Sequence, residues 1–251
     1  MSGHSKWSTI KHKKAILDAR RGKAWSKLGR AITMAAKQGG GNAAENPRLR
    51  LAIDKAKADN MPKDTIEKAV KKGTGELEGE AFEDILYEGY GPAGVAIMCR
   101  VVTDNRNRTA GEIRKVFERS GGNLGASNCV AFQFNQKGVV VIGRDKAPED
   151  KLMEIALEAG ADDVSSSEHI YEVTCATDQF ENVRKAITDA GIPIESADIS
   201  MVAQNSITLD LTSAKKVFRL IEALEEHDDV DAVYSNSDVP DDVIAQLSKD
   251  N

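Results

Sequence analysis

The feature that most limits the folds open to this chain is one change of hydrophobic period. Before the run Gly73-Thr74-Gly75-Glu76 to Gly79, apolar residues recur at helical spacing. Beyond it they gather in short β-branched runs that alternate with helical stretches and turn residues. A chain built this way starts as a helical unit and continues as mixed α/β structure, and its 251 residues allow more than one buried core.

In the first part, Trp25, Leu28, Ile32 and Ala35 recur at helical spacing between Gly22 and Gln38. Lys23, Lys27, Arg30 and Lys37 fall on the opposite side at about 100° per residue. Gly39-Gly40-Gly41 ends that helix. Asn46-Pro47 opens a second, running to about Asp59 with Leu49, Ile53 and Ala56 inward, by placing a cap residue before a proline at the first helical position. Pro62 opens a third, with Ile66, Ala69 and Val70 inward and Gly73 as its stop. The first dozen residues remain as a basic arm.

Past the linker, Ile85–Glu88 and Val95–Thr103 read as a hairpin around Gly89–Gly94, followed by a helix over Thr109–Ser120 and a strand over Cys129–Phe134. Next come a strand Val139–Ile142, a helix Pro148–Ala159, strands Asp163–Ser166 and Ile170–Ala176, a helix Gln179–Ala190 and a strand Ser196–Val202, the βαββαβ order of a ferredoxin-like domain. A strand Ser206–Leu211, a helix Ser213–His227 and a strand Val230–Tyr234 close the chain. They lack a sheet of their own, as does the block Asp84–Phe134. The expected class is therefore α+β, an N-terminal helical bundle followed by two ferredoxin-like α/β domains, one inserted into the other. The expected boundaries are 1–75, then 80–136 joined to 206–240, with 137–205 inserted.

Charge follows the same division. Met1–Gly75 carries 18 Lys/Arg against six Asp/Glu, a net +12, and the remainder carries 16 against 34, a net −18. Met1–Arg30 alone holds nine Lys/Arg and one acid, Asp18. Such crowding is tolerated where a polyanion cancels it, whereas the acidic body opposes a phosphate backbone with its own field. Lys6, Lys11, Lys13, Lys14, Arg20, Arg21, Lys23, Lys27 and Arg30 are the expected phosphate contacts. His12 can add to them, and Trp7, which lacks apolar neighbours at helical spacing, offers a stacking surface. Trp25 belongs to a packing stripe. Arg106 and Arg108 sit where a loop enters a helix, a place for a secondary anion contact whose alternative is capping by Asp104, Asn105 or Asn107 with solvated arginines.

Other chemistry is excluded or left without support. His4 and His12 stand eight apart with no cysteine or acid beside them, so no metal is expected. Cys99, Cys129 and Cys175 are far apart and odd in number, which predicts reduced, buried thiols in a cytoplasmic protein. No run is long and apolar enough for a membrane span, and the start lacks the apolar core of a signal peptide. The glycine runs Gly89–Gly94 and Gly121–Gly125 read as turns. No Gly-x-Ser-x-Gly, Walker loop or His-Glu-x-x-His occurs, and the acid pairs Asp162-Asp163, Asp228-Asp229 and Asp241-Asp242 sit by turns, where solvation accounts for them. No enzyme, cofactor or small-molecule substrate is predicted.

Several long motifs carry a family resemblance in order along the chain. They are Gly3-His4-Ser5-Lys6-Trp7, Lys11-His12-Lys13-Lys14, Asp18-Ala19-Arg20-Arg21-Gly22-Lys23, Asn46-Pro47-Arg48-Leu49-Arg50, Asn60-Met61-Pro62-Lys63-Asp64, Tyr87-Glu88-Gly89-Tyr90-Gly91-Pro92 and Thr103-Asp104-Asn105-Arg106-Asn107-Arg108-Thr109. The chain resembles the YebC family over its whole length. That resemblance implies one helical and two α/β domains. It implies a role in gene expression: bacterial members are described as probable transcriptional regulators, mitochondrial relatives as translational activators of cytochrome c oxidase, and bacterial relatives are also linked to the ribosome and to relief of stalling at proline-rich segments. The expected partner is nucleic acid, either ribosomal RNA in the setting of the ribosome or promoter DNA, bound by a monomer. The residues lean to the RNA reading, because no recognition helix aims Arg, Asn or Gln at base edges and no dimer seam is evident. A protein–protein adaptor is the third reading, and it requires the basic arm to be irrelevant.

Overall fold

The computed structural model describes residues 21–78 and 81–249. Three helices come first, α1 (Arg21–Gly39), α2 (Pro47–Ala58) and α3 (Lys63–Thr74). They close on one core of Ile32, Ala35, Ala36, Leu49, Ala56, Met61, Ile66 and Ala69, with Trp25, Leu28, Ile53 and Val70 at its edge. Asn46 fixes the turn between α1 and α2. Its Oδ1 accepts from the Leu49 N–H (3.0 Å), capping α2, while its Nδ2 donates to the carbonyls of Ala35 (2.8 Å) and Gly40 (2.9 Å).

Gly73 does not stop α3, contrary to the expectation from sequence. The helix continues to Thr74, and Gly75, at φ +81°, forms the left-handed cap. Gly73 instead lets α1 and α3 approach. A Cβ there would lie 2.4 Å from the Thr33 carbonyl oxygen, and the Thr33 hydroxyl donates to the Ala69 carbonyl across the same contact (3.0 Å).

Two four-stranded antiparallel sheets follow, so the class is mixed α+β. The first contains β1 (Glu83–Tyr90), β2 (Ala96–Thr103), β3 (Asn123–Leu124) and β9 (Val230–Ser235), in the order β3-β1-β2-β9. β1 and β2 form a hairpin with Glu83 opposite Thr103 and Tyr90 opposite Ala96, and Cys99 of β2 pairs with Val233 of β9. Helices α4 (Arg106–Arg119) and α7 (Leu211–Glu225) cover one face of this sheet, burying Ile113, Phe117, Val217, Leu220, Ile221 and Leu224 against Ile97, Cys99 and Val101.

The second sheet is built from β4 (Phe134–Gly143), β5 (Ala161–Ser166), β6 (Ile170–Cys175) and β7 (Ser196–Ala203), in the order β5-β6-β4-β7. Helices α5 (Glu149–Glu158) and α6 (Phe180–Asp189) pack on it through Leu152, Ala156, Val183 and Ile187. The chain ends in a short parallel pair, β8 (Ile207–Thr208) with β10 (Ser237–Asp238), and in α8 (Asp241–Lys249). Among the described residues no helix is long and apolar enough to cross a membrane.

Two expected strands are displaced. Of the strand expected at Cys129–Phe134, all but Phe134, which opens β4, is a loop ending in a 3-10 turn (Ala131–Gln133), because the buried Glu88 carboxylate takes the N–H groups of Asn128 (2.7 Å), Val130 (2.9 Å) and Ala131 (2.8 Å) that a ladder would need. Ser206–Leu211 shortens to Ile207–Thr208, since Asp210 accepts from the Ser213 N–H (2.7 Å) and starts α7.

Candidate nucleic-acid interface

Lys6, Trp7, Lys11, His12, Lys13, Lys14 and Arg20 lie outside the described residues, and Arg21 and Lys23 stand in the first turn of α1. The remaining expected contacts are placed differently from the open cationic face that their spacing predicts. Lys27 donates to the Glu225 carbonyl, and Arg30 donates to the Asp228 carbonyl and lies 3.7 Å from the Asp229 carboxylate. Burial pulls the Lys27 ammonium below its ordinary pKa despite the attraction of Glu225. These two cations fasten the helical unit to the end of α7, so they are corrected from exposed phosphate contacts to interdomain anchors.

The fastening extends along one seam. Lys37 donates to the Phe82 carbonyl (3.2 Å), Arg48 meets Gln38 and Asp84 (3.1 Å), and Lys55 pairs with Asp198 of β7. Arg100 holds Asp84 through two bonds (3.0 and 2.7 Å) and lies 3.6 Å from Asp231. A cavity of about 220 Å³ opens where the helices meet the sheets, and its lining sets the cations Lys27, Arg48, Lys55 and Arg100 beside Asp198 and Asp231. Burial, with Asp231 nearby, pushes the Asp84 carboxyl up. Charge here joins parts of one chain.

Asp229 is the residue that sequence reasoning misses. Its place beside a turn groups it with solvated acids, yet it is 7% exposed and accepts from Thr109 (2.7 Å), Arg108 (2.9 Å) and Thr103 (3.0 Å). Burial raises its pKa, but the bonds from Thr109, Arg108 and Thr103 outweigh that and leave the carboxyl below the usual range. Arg108 also pairs with Asp104 (2.8 Å), and Asn105 caps α4 by accepting from the Arg108 N–H (3.1 Å). Arg108 is therefore held by two intrachain ion pairs, and of the capping alternative the cap at Asn105 is seen while Arg108 is not simply solvated. Arg106, one position past the cap, is exposed. No local signal marks Asp229, whose partners lie more than a hundred residues away in sequence.

The helical unit keeps an open cationic side on α3. Lys68, Lys71 and Lys72 are exposed and make no ion pair among the described residues, while Lys63 pairs with Glu67 (3.6 Å). The outward residues of α3 include no Arg, Asn or Gln, and lysine meets phosphate as a point charge with little capacity to read a base edge.

The architecture defines a class: a basic three-helix unit clamped by charge onto an acidic pair of antiparallel α/β sheets. Family models described as the TACO1/YebC protein N-terminal domain and the TACO1/YebC second and third domain match residues 5–76 and 82–237. The chain belongs to the TACO1/YebC family, as its ordered motifs predict. It is 53% identical over 247 residues to a probable transcriptional regulatory protein of Geobacter sulfurreducens, covering 98% of this chain and 100% of that one. It is 51% identical over 253 residues to a probable transcriptional regulatory protein of Halothermothrix orenii, covering the whole of both. The crystal structure of a conserved hypothetical protein from Aquifex aeolicus superposes with a TM-score of 0.83 at 47% identity, over 92% of this chain and 96% of that one.

Proposed function

We propose that the protein is a nucleic-acid-binding regulator of gene expression, acting as a ribosome- and RNA-associated translation factor through its basic N-terminal unit. The observation that carries this reading is the sorting of charge: +12 over Met1–Gly75 against −18 over the rest, with Lys11, Lys13, Lys14, Arg20 and Arg21 concentrated where only one acid offsets them. The seam consumes Lys27, Arg30, Arg48 and Lys55, which leaves the first residues and the α3 lysines to meet phosphates. Lysine-rich contact without a base-reading helix suits structured RNA, recognised by backbone and shape. The chain binds in this reading and does not catalyse, works as a cytoplasmic monomer and needs no cofactor. We also read the sheet β5-β6-β4-β7 as a ferredoxin-like domain over 137–205, inserted into a discontinuous domain of 80–136 and 206–240.

A DNA-binding transcriptional regulator is the second reading, favoured by the names of the relatives from Geobacter sulfurreducens and Halothermothrix orenii. One pair of experiments tests both. Replacing Lys11, Lys13, Lys14, Arg20 and Arg21 with Ala leaves the fold intact, weakens binding to nucleic acid and lowers the salt slope by about one unit for every phosphate no longer neutralised; unchanged affinity overturns the proposal. Co-sedimentation of the full chain with ribosomes supports the first reading, and retention on one promoter fragment without ribosomal association supports the second.

A further inference from the structure

The acidic body does not spread its few cations evenly. Of the 16 Lys/Arg beyond Gly75, eight lie on two helices, Arg106, Arg108, Arg114, Lys115 and Arg119 on α4 and Lys215, Lys216 and Arg219 on α7. Elsewhere in this part most cations are spent internally: Arg100 on Asp84, Lys137 on Asp162, Arg144 on Glu149, Lys146 on Asp145, Arg184 on Glu181 and Lys185 on Asp189. By contrast Arg114, Lys115, Arg119, Lys216 and Arg219 are exposed and make no salt bridge among the described residues; Lys216 acts on Asp210 only through space.

The two helices lie side by side. They share one core, and Glu112 on α4 meets His227 just after α7 at 2.9 Å, so they run antiparallel with the end of α4 beside the first half of α7. Lys115 and Arg119 stand three and seven residues beyond Glu112, on the side of α4 turned toward α7. The acids on the two helices are Glu112, Glu118, Glu222 and Glu225, of which Glu112 is engaged by His227. Gly111 lies on the same outward side, one turn before Arg114 and Lys115. A Cβ added there meets nothing within 4 Å, so the packing of this chain gives no reason for it, although glycine in a helix costs about 1 kcal/mol relative to alanine. A bare helix backbone flanked by unmatched cations suits close approach by a phosphodiester backbone.

We propose that the solvent face of α4 and α7 is a second contact surface for the phosphate backbone of a nucleic acid, extending the grip of the N-terminal unit. This rests on the nucleic-acid reading of the preceding section. The average field of the acidic body repels a phosphate backbone, as its composition predicts, but this face is sorted against that average.

The test uses the full chain with Lys115, Arg119, Lys216 and Arg219 changed to Gln, titrated with a short RNA duplex and with its DNA counterpart over a range of salt. The salt slope should fall by about two to four units, near 0.9 for each duplex phosphate that the variant no longer neutralises. Gly111→Leu, which removes no charge, should weaken binding while leaving the slope nearly unchanged. Protection of Lys115 and Lys216 from acetylation by bound duplex, read by mass spectrometry on the unaltered chain, supplies a measurement free of folding effects. If the Gln variant keeps both affinity and slope while the Lys11, Lys13, Lys14, Arg20 and Arg21 variant loses them, this surface is overturned and the N-terminal assignment stands. If the unaltered chain binds neither duplex, both readings fall.

Discussion

Asp229→Asn removes one negative charge from the point where α1, α4 and the end of α7 meet. The carboxylate accepts from Thr109, Arg108 and Thr103 at 2.7 to 3.0 Å and faces Arg30 at 3.7 Å, in a side chain almost closed to solvent. An amide keeps one acceptor oxygen and turns an N–H group toward donors. Bonds to charged groups are worth about 1.5–3 kcal/mol each, and a stranded partner adds its desolvation cost. The Thr103 and Thr109 hydroxyls stand 2.8 Å apart, so one of them, released from the carboxylate, can donate to the other and recover part of the loss, and about 3 kcal/mol is expected at neutral pH. For a chain of this size that corresponds to a fall in Tm of about 6–12 °C by calorimetry, with faster amide exchange in α1 because its anchor at Arg30 loosens. The sign with pH follows from the lowered folded-state pKa. The contribution is complete above the unfolded value, near 4, and disappears as pH falls through the lower folded value. The gap between unaltered and variant chains therefore narrows below about pH 4. A fall in Tm under about 2 °C, or a gap that persists unchanged into acid, would refute the role assigned to this carboxylate.

Two further outcomes are expected. Glu88→Gln, with its one oxygen kept by Val130 and Ala131, leaves the Asn128 amide without its acceptor, costs about 1–3 kcal/mol and speeds hydrogen exchange at Asn128; unchanged slow exchange there in the variant would show that the loop holds itself. Gly73→Ala drives a methyl into the Thr33 carbonyl and the Ala36 side chain, so α1 and α3 separate and urea unfolding shifts by about 1–3 kcal/mol, whereas an unchanged midpoint would mean that the helices slide apart at no cost.

The helical third is readable because its signals are local. Leu28, Ile32 and Ala35 repeat at one period, and Asn46-Pro47 carries both cap and first-turn chemistry. The strands and helices between Val139 and Val202 are readable for the same reason, each bounded by turn residues. Sequence reasoning fails where a distant side chain decides. Glu88 claims three amides some forty residues on and dissolves all but the last residue of the strand expected at Cys129–Phe134. Gly73 looks like a stop because the nearness of Thr33 is invisible in one dimension, and the two-residue strand Asn123–Leu124 has too few residues to show a period. Among the expected site residues, the spacing of Lys27 and Arg30 does mark a cationic side of α1. What they face is another part of the same chain, because the seam partners Glu225, Asp228 and Asp229 lie about two hundred residues downstream.

The pairing of β2 with β9 sets an order on biosynthesis. As the polypeptide leaves its own ribosome, Ala96–Thr103 emerges with one hairpin partner and must wait until Val230–Ser235 has been translated before its second edge is filled. The sheet of β4 to β7 can close within that interval, bringing the two ends of the first sheet near each other and shortening the loop left to close. The second edge of β2 thus stays open on the nascent chain until Val230–Ser235 has been made.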